Sequence, residues 1–420
     1  MTTFIRKEII GDVKVNITER HVDAVSLARA IAEAKTIKDN DEAFMVVNLD
    51  AVLDRFYLWK KELPHIEPFY AVKCNSDETL LRTLAALGVG FDCASREEID
   101  TVIRIDVAPE RIIYANPCKT RSFILHAEEK EVKMMTFDNE EELHKITTYH
   151  RSPELILRIA VSDPTATCPL NLKFGAEPVK QASDLLKKAS DMGVNVCGVS
   201  FHVGSGCNDP SAYRIALQHA RNLFNYGRTL GHRMEIVDMG GGFPGGEHHI
   251  QFEDIASVIR SAVSEFFPDP DVRLIAEPGR FFAARPFTLV ANIIAHTAVP
   301  AEKITKKIED AASTGHMYYI NDGVYGSFNC ILFDHVHPVG RPLFDSDDVE
   351  LFPTTIWGPT CDSLDMIEDK KWMRSMEVGD WMLYTDMGAY TCAASTTFNG
   401  FARPTPVYVM GERTWRHLGL

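Results

Sequence analysis

From residue 68 to residue 277 the chain repeats one pattern eight times: a short, nearly continuous apolar run, then a longer stretch with apolar positions at helical spacing. The runs predict strands buried on both faces, and the stretches predict amphipathic helices. Each run finishes in a polar residue or a glycine, at Lys73, Asp92, Asn116, Asp138, Arg158, His202, Gly240 and Glu277. Alternating strands and helices make a parallel sheet. Eight such units predict a (β/α)8 TIM barrel, an α/β fold whose active site lies at the C-terminal ends of its strands. The eight terminal residues are therefore a prediction of one rim. A doubly wound open sheet fits the same alternation, and the count of eight requires the apolar run at 43–47 to stay outside the barrel.

The flanks read differently. Residues 1–42 combine an alternation at Val13, Val15 and Ile17 with a helical stretch at 25–34, and residues 49–63 carry helical spacing. After Arg280, strand-like segments at 286–298, 317–320, 328–333, 355–357, 381–384 and 407–410 are separated by Gly/Pro turns, which predicts a β-rich second domain. The expected division is a lead-in at 1–42, a barrel at 43–283 and a β-domain at 284–420. Neither an internal repeat nor a Gly/Ser linker interrupts it.

Composition narrows the class. With 420 residues, 45% hydrophobic and 25% charged, the chain can bury a sizeable core. A formal net charge of −15 without a Lys/Arg block argues against nucleic acid or an acidic membrane and is compatible with a small cationic substrate. The nine cysteines show no CxxC spacing and read as reduced thiols. The N-terminus has no signal-peptide run, and 18 consecutive apolar residues occur nowhere, so the expected location is the cytoplasm.

The chemistry collects at the run ends. In Pro68-Phe69-Tyr70-Ala71-Val72-Lys73-Cys74-Asn75-Ser76 a single lysine closes an apolar strand. A lysine there, partly stripped of water, has a lowered pKa and suits a Schiff base; the plain alternative is a lysine that snorkels to solvent. Asp238-Met239-Gly240-Gly241-Gly242-Phe243-Pro244 offers close-approach backbone for an anion, or merely a loop. Glu277-Pro278-Gly279-Arg280 offers a carboxylate for a ring nitrogen and phosphate contacts, or a structural ion pair. His202 offers a flat imidazole, or a core histidine. His248-His249 and His335-x-His337 lack a visible third ligand, so no metal is expected. Lysine, phosphate cradle, carboxylate and imidazole on one rim suggest pyridoxal phosphate, and a protonated ring favours decarboxylation of an amino acid through a full quinonoid. Taken alone, Cys361 is one buried thiol among nine, yet its Gly-Pro turn with carboxylates beside it makes it a candidate proton donor.

The ordered motifs PFYAVKCN, GFDCAS, SFHVGSG, DMGGGFPG, AEPGRFF, FNCILFDHVHP, WGPTCDSLD and DMGAYT span essentially the whole chain. In them the sequence resembles the eukaryotic ornithine decarboxylases, pyridoxal-phosphate enzymes of the alanine-racemase-like barrel decarboxylase family. The resemblance implies a barrel plus a β-domain that includes the N-terminal segment, in a homodimer whose active sites are shared between subunits. It implies Lys73 as the Schiff-base lysine, His202 on the ring and Glu277 at its nitrogen. Ser205, Gly240, Gly241, Gly242, Gly279, Arg280 and Tyr390 are implied as phosphate contacts, with Asp92, Arg158 and Glu98 as supports. Cys361 is implied as the proton donor to the product carbon, and Asp334 and Asp362 as the holders of ornithine's distal amine. Phe333 stands by the substrate pocket where tyrosine is common, and Ser363 where glycine is usual. The segment matching the antizyme-binding region, 119–145, is acidic at Glu128, Glu129, Glu131 and Glu140 to Glu142, against the basic surface that partner favours. Other readings are an inactive antizyme-inhibitor-like regulator and a lysine, arginine or diaminopimelate decarboxylase. The two acids favour a distal amine over a second carboxylate.

Overall fold

The computed structural model describes residues 4–21, 23–161, 166, 173–246, 250–347 and 350–419. Two compact units emerge, one of residues 54–282 and one of residues 1–53 with 283–420.

In the first unit eight parallel strands close on themselves: Ile66–Ala71, Gly90–Cys93, Ile112–Tyr114, Met134–Phe137, Glu154–Ile159, Val196–Phe201, Ile236–Asp238 and Arg273–Ala276. The last pairs with the first, Leu274 beside Ile66, so the open doubly wound sheet is excluded. Phe69, Ile113, Met134, Ile156, Cys197, Ile236 and Ile275 form one buried cluster fed by every strand except the second. The second strand supplies Gly90 instead, because a Cβ there would stand 2.7 Å from the Phe69 ring. The connecting helices bury one face each; Leu80, Leu81 and Leu84 do so on Glu78–Ala86. Polar residues that close the βα loops also start the helices. Asp77 accepts from Leu80 N at 2.9 Å and Asn139 from Glu142 N at 2.9 Å, satisfying donors that the first helical turn leaves without a partner.

The second unit is built on a ten-stranded mixed sheet. Its path runs Phe4–Ile10, Val13–Thr18, Thr405–Gly411, Phe44–Asn48, Phe287–Pro300, Thr314–Ile320, Phe352–Trp357 and Met366–Met373. Trp381–Tyr384 also pairs with Phe287–Pro300. Leu27, Ala28 and Ala32 of the helix Ala24–Thr36 pack on Phe44, Val46, Val290 and Trp381.

Two expectations change. The boundary expected at 43 moves to 54, because Phe44–Asn48 hydrogen-bonds strands of the β-unit on both sides. The segment 328–333, read as a strand, is a tight turn, Ser327–Asn329, running into the short helix Cys330–Phe333. Turn chemistry overrides its apolar run: Asp322 Oδ1 accepts from Gly323 N and Ser327 N, and Asn329 Nδ2 donates to Gly326 O and Thr391 O.

Candidate active site

All eight run-end residues lie within two positions of a strand's C-terminal end, so the barrel gathers Lys73, Asp92, Asn116, Asp138, Arg158, His202, Gly240 and Glu277 on one rim. Lys73 sits in the turn Val72–Cys74 and forms an ion pair with Asp92, a fully buried residue of the next strand. Its side chain is 44% exposed, so it is less desolvated than the sequence suggested, and a neighbouring carboxylate rather than an apolar wall meets its ammonium. The fully buried lysine of the barrel is Lys119, whose ammonium meets Glu142 at 2.9 Å and the Thr136 carbonyl at 2.6 Å. Burial pulls its pKa down to about 8. Beside Asp92, Glu98 accepts from Ala94 N at 2.5 Å, and burial raises its pKa.

His202 Nδ1 accepts from Gly204 N at 3.0 Å, which leaves the hydrogen of a neutral ring on Nε2. Burial, then Arg158 and Lys73, hold its pKa well below the ordinary imidazole value, so the ring is neutral. Three glycines follow the seventh strand, and each excludes a side chain. A Cβ on Gly240 would sit 2.2 Å from Phe201 O, one on Gly241 2.8 Å from His202 Nε2, and one on Gly242 2.8 Å from Tyr213 Oη. Tyr213 Oη donates to Gly241 O at 2.9 Å and so holds the loop. Across from it, Arg280 donates to Ser205 Oγ at 3.3 Å, and a Cβ on Gly279 would meet Cys74 at 3.0 Å.

Glu277 and Asp238 form a buried acid pair. They hydrogen-bond when one carries a proton; with both ionised, Glu277 Oε1 and Asp238 Oδ2 have no donor among the described residues. Burial pushes Asp238 up to about 7, and burial, then Asp238 and Asp92, push Glu277 well above the carboxylate range. In the sequence Asp238 stands out only as the lead-in to the glycines. Its signal was there: an acid at a strand end, on the same rim as Glu277.

The remaining candidates, Phe333, Asp334, Cys361, Asp362 and Tyr390, belong to the β-unit. Cys361 is exposed, unlike the buried thiol expected, because its loop is pinned from within by its neighbour Asp365. Asp365 Oδ1 accepts from Val324 N at 2.8 Å, and Oδ2 accepts from Thr360 N at 2.9 Å and Thr360 Oγ1 at 2.7 Å. Asp362 accepts from Leu364 N and from the phenol of Tyr325, and these donors lower its pKa and keep it ionised. Phe333 is 71% exposed and Asp334 is buried. Tyr390 has a left-handed backbone, φ 55°. Neither Tyr325 nor Asp365 was singled out from sequence, since each acts through tertiary hydrogen bonds. His248 and His249 lie outside the described residues, as does Cys168.

The barrel residues fit pyridoxal phosphate. A lysine reaches the rim, glycines leave open backbone where a Cβ would collide, and the bare Glu277 oxygen calls for an N–H donor. Residues 49–284 match the pyridoxal binding domain of the pyridoxal-dependent decarboxylases, and the chain belongs to that family. It is 66% identical over 411 residues to the ornithine decarboxylase of Caenorhabditis elegans, covering 98% of this chain and 97% of the relative. Antizyme inhibitor 2 of Xenopus laevis is 45% identical over 410 residues, covering 96% and 89%. The crystal structure of the Paramecium bursaria Chlorella virus arginine decarboxylase bound to agmatine is 36% identical, with a TM-score of 0.84 over 92% of this chain and 100% of that one.

The acid pair has a pH signature. Asp238 goes from its ordinary 3.8 to about 7 on folding, so between those values the folded state binds more protons than the unfolded state. Stability from this group is therefore present at low pH and lost as pH rises toward 7. In cofactor-free protein, Asp238→Asn should gain thermal stability relative to wild type between pH 5 and pH 8. Parallel melting-temperature profiles would show that no shared proton exists.

Proposed function

We propose that the chain decarboxylates L-ornithine to putrescine, the first step of polyamine biosynthesis, with pyridoxal phosphate held at the barrel rim. The bare, buried Glu277 oxygen on the rim that carries Lys73 and the glycine cradle is the observation that carries this reading. Bound pyridoxal phosphate supplies an electron sink for the pair released when the C–CO2 bond breaks. Lys73, paired with Asp92 on the rim, would hold the cofactor's aldehyde through its amine. Glu277 keeps a proton on the ring nitrogen, and Asp238, by sharing its own proton, tunes how much charge Glu277 presents. His202 serves the ring as a neutral imidazole. Gly240, Gly241, Gly242, Ser205, Gly279, Arg280 and Tyr390 hold the phosphate, with Asp92, Glu98 and Arg158 as supports.

The Cys361 thiol delivers the proton that replaces CO2 on the substrate carbon and recovers one from solvent. Asp362, held ionised by Leu364 N and Tyr325, binds the distal ammonium together with Asp334, beside Phe333. A dibasic amino acid suits two acids, and ornithine follows from the 66% identity to a decarboxylase named for it. The protein works as a homodimer in the cytoplasm. Cys361 and Asp362 enter the site of the second copy, a reading supported by exposed Leu364, Phe333 and Phe398 on the same unit as the Cys361 loop.

The acidic 119–145 segment bears on antizyme. Glu142 is taken up by Lys119 and Lys145, Glu128 by Arg151, and Glu140 by Lys188. Internal pairing thus removes part of the negative surface that would repel such a partner. The regulator reading, raised by the Xenopus laevis relative, differs in one observable: a regulator releases no CO2.

CO2 release from ornithine, lysine and arginine should rank ornithine first by about tenfold or more in kcat/KM, the scale at which a pocket resolves one methylene. No release from any of the three would leave the regulator. Mixing Lys73→Ala with Cys361→Ala subunits, each nearly inactive alone, should restore about a quarter of wild-type activity, because half of randomly paired dimers then hold one intact site. Demonstrated heterodimers without recovery would mean that each site is built within one chain.

A further inference from the structure

Arg55 has no part in the chemistry above, yet it is 7% exposed, and a buried guanidinium needs partners. It lies on the helix Asp50–Glu62. Its Nε donates to Phe281 O at 2.9 Å and its Nη2 to Pro244 O at 3.0 Å, with Cζ 3.7 Å from the Phe281 ring centroid. Those two carbonyls belong to different segments, the glycine loop and the short helix Arg280–Ala283. Pro244 closes the glycine loop after the seventh strand, two residues beyond Gly242; Phe281 directly follows Gly279 and Arg280 after the eighth.

One helical turn on, Trp59 presents the same face of the helix. Its ring packs at 4.9 Å on Phe243 of the glycine loop and at 5.3 Å on Phe281 of the short helix, while its Nε1 donates to Ile66 O at 2.9 Å. The glycine loop and the short helix Arg280–Ala283 are thus tied to one helix face twice, by polar bonds through Arg55 and by aromatic packing through Trp59. A run of three glycines has the greatest backbone freedom to lose on ordering, so its shape must be imposed by neighbours. Arg55 suits that task because a planar guanidinium can donate to two carbonyls and stack at once, which an ammonium cannot.

Resting on the cofactor reading above, we infer that Arg55 is a positioning residue for the phosphate cradle: it pins the glycine loop and the Gly279–Arg280 turn to each other through their carbonyls, so the cofactor's phosphate meets a preformed site. The discriminating readout compares two ligands that differ only in the phosphate. Holoenzyme of wild type, Arg55→Met and Arg55→Lys is resolved, and rebinding of pyridoxal phosphate and of pyridoxal is titrated by absorbance. Arg55→Met should lose about tenfold or more in affinity for pyridoxal phosphate, as a site that must be ordered on binding does, and about twofold or less for pyridoxal. Arg55→Lys should fall between, its ammonium meeting fewer acceptors in fixed geometry. Equal losses for both ligands, or no loss for either, would overturn the inference. Should Arg55→Met not fold, the Lys variant decides, and if that also fails to fold, Arg55 holds the fold rather than the cradle and the inference falls. Wild type that binds pyridoxal phosphate no better than pyridoxal would instead strike the cofactor reading itself.

Discussion

Three of the buried carboxylates on the rim, Asp92, Asp238 and Glu277, set the terms for what surrounds them. A buried anion is costly unless a cation, a donor or a proton meets it. Asp92 Oδ2 is met by Lys73 and Asp238 Oδ1 by Gly240 N at 2.9 Å, while Asp92 Oδ1 has no donor among the described residues. Glu277 Oε1 and Asp238 Oδ2 have no donor among the described residues, and burial raises the pKa of both groups. The rim is therefore a site that calls for positive charge or N–H donors, and a protonated pyridine nitrogen at Glu277 is a group of that kind.

Closure of the sheet is what brings these groups together. Short strands end in step, and a closed ring of eight places the residue after each strand near those after its neighbours. Seven apolar side chains and one glycine fill the space below the rim, so the polar layer rests on a packed core. Close approach then does the rest. Glu277 N donates to Gly240 O at 2.7 Å, so the acid and the first cradle glycine share a backbone bond between adjacent loops.

Much of this was legible in the sequence because burial on both faces writes long apolar runs, and the polar residue that stops a run must find solvent or a site. All eight stops predicted rim positions. The apolar run at 328–333 misled because runs that short do not distinguish strand from turn, and only Asp322 and Asn329, bonding across the chain, decide the matter. The degree of burial was also beyond reach. Lys73 looked desolvated and Cys361 buried, yet Lys73 is met by Asp92 and Cys361 is held outward by the hydrogen bonds of Asp365. Arg55 is invisible for the same reason: its helix position reads as a solvated face until Pro244 and Phe281 fold back onto it.

The central claim is that the rim at the strand ends holds the cofactor through Lys73. Borohydride reduction of the purified protein, followed by proteolysis and mass spectrometry, fixes a lysine-bound pyridoxyl group and locates it by residue. The account predicts one pyridoxyl-phosphate mass on the peptide carrying Phe69-Tyr70-Ala71-Val72-Lys73-Cys74-Asn75 and on no other. The same mass on another lysine, such as Lys119, with Lys73 unmodified, would contradict it.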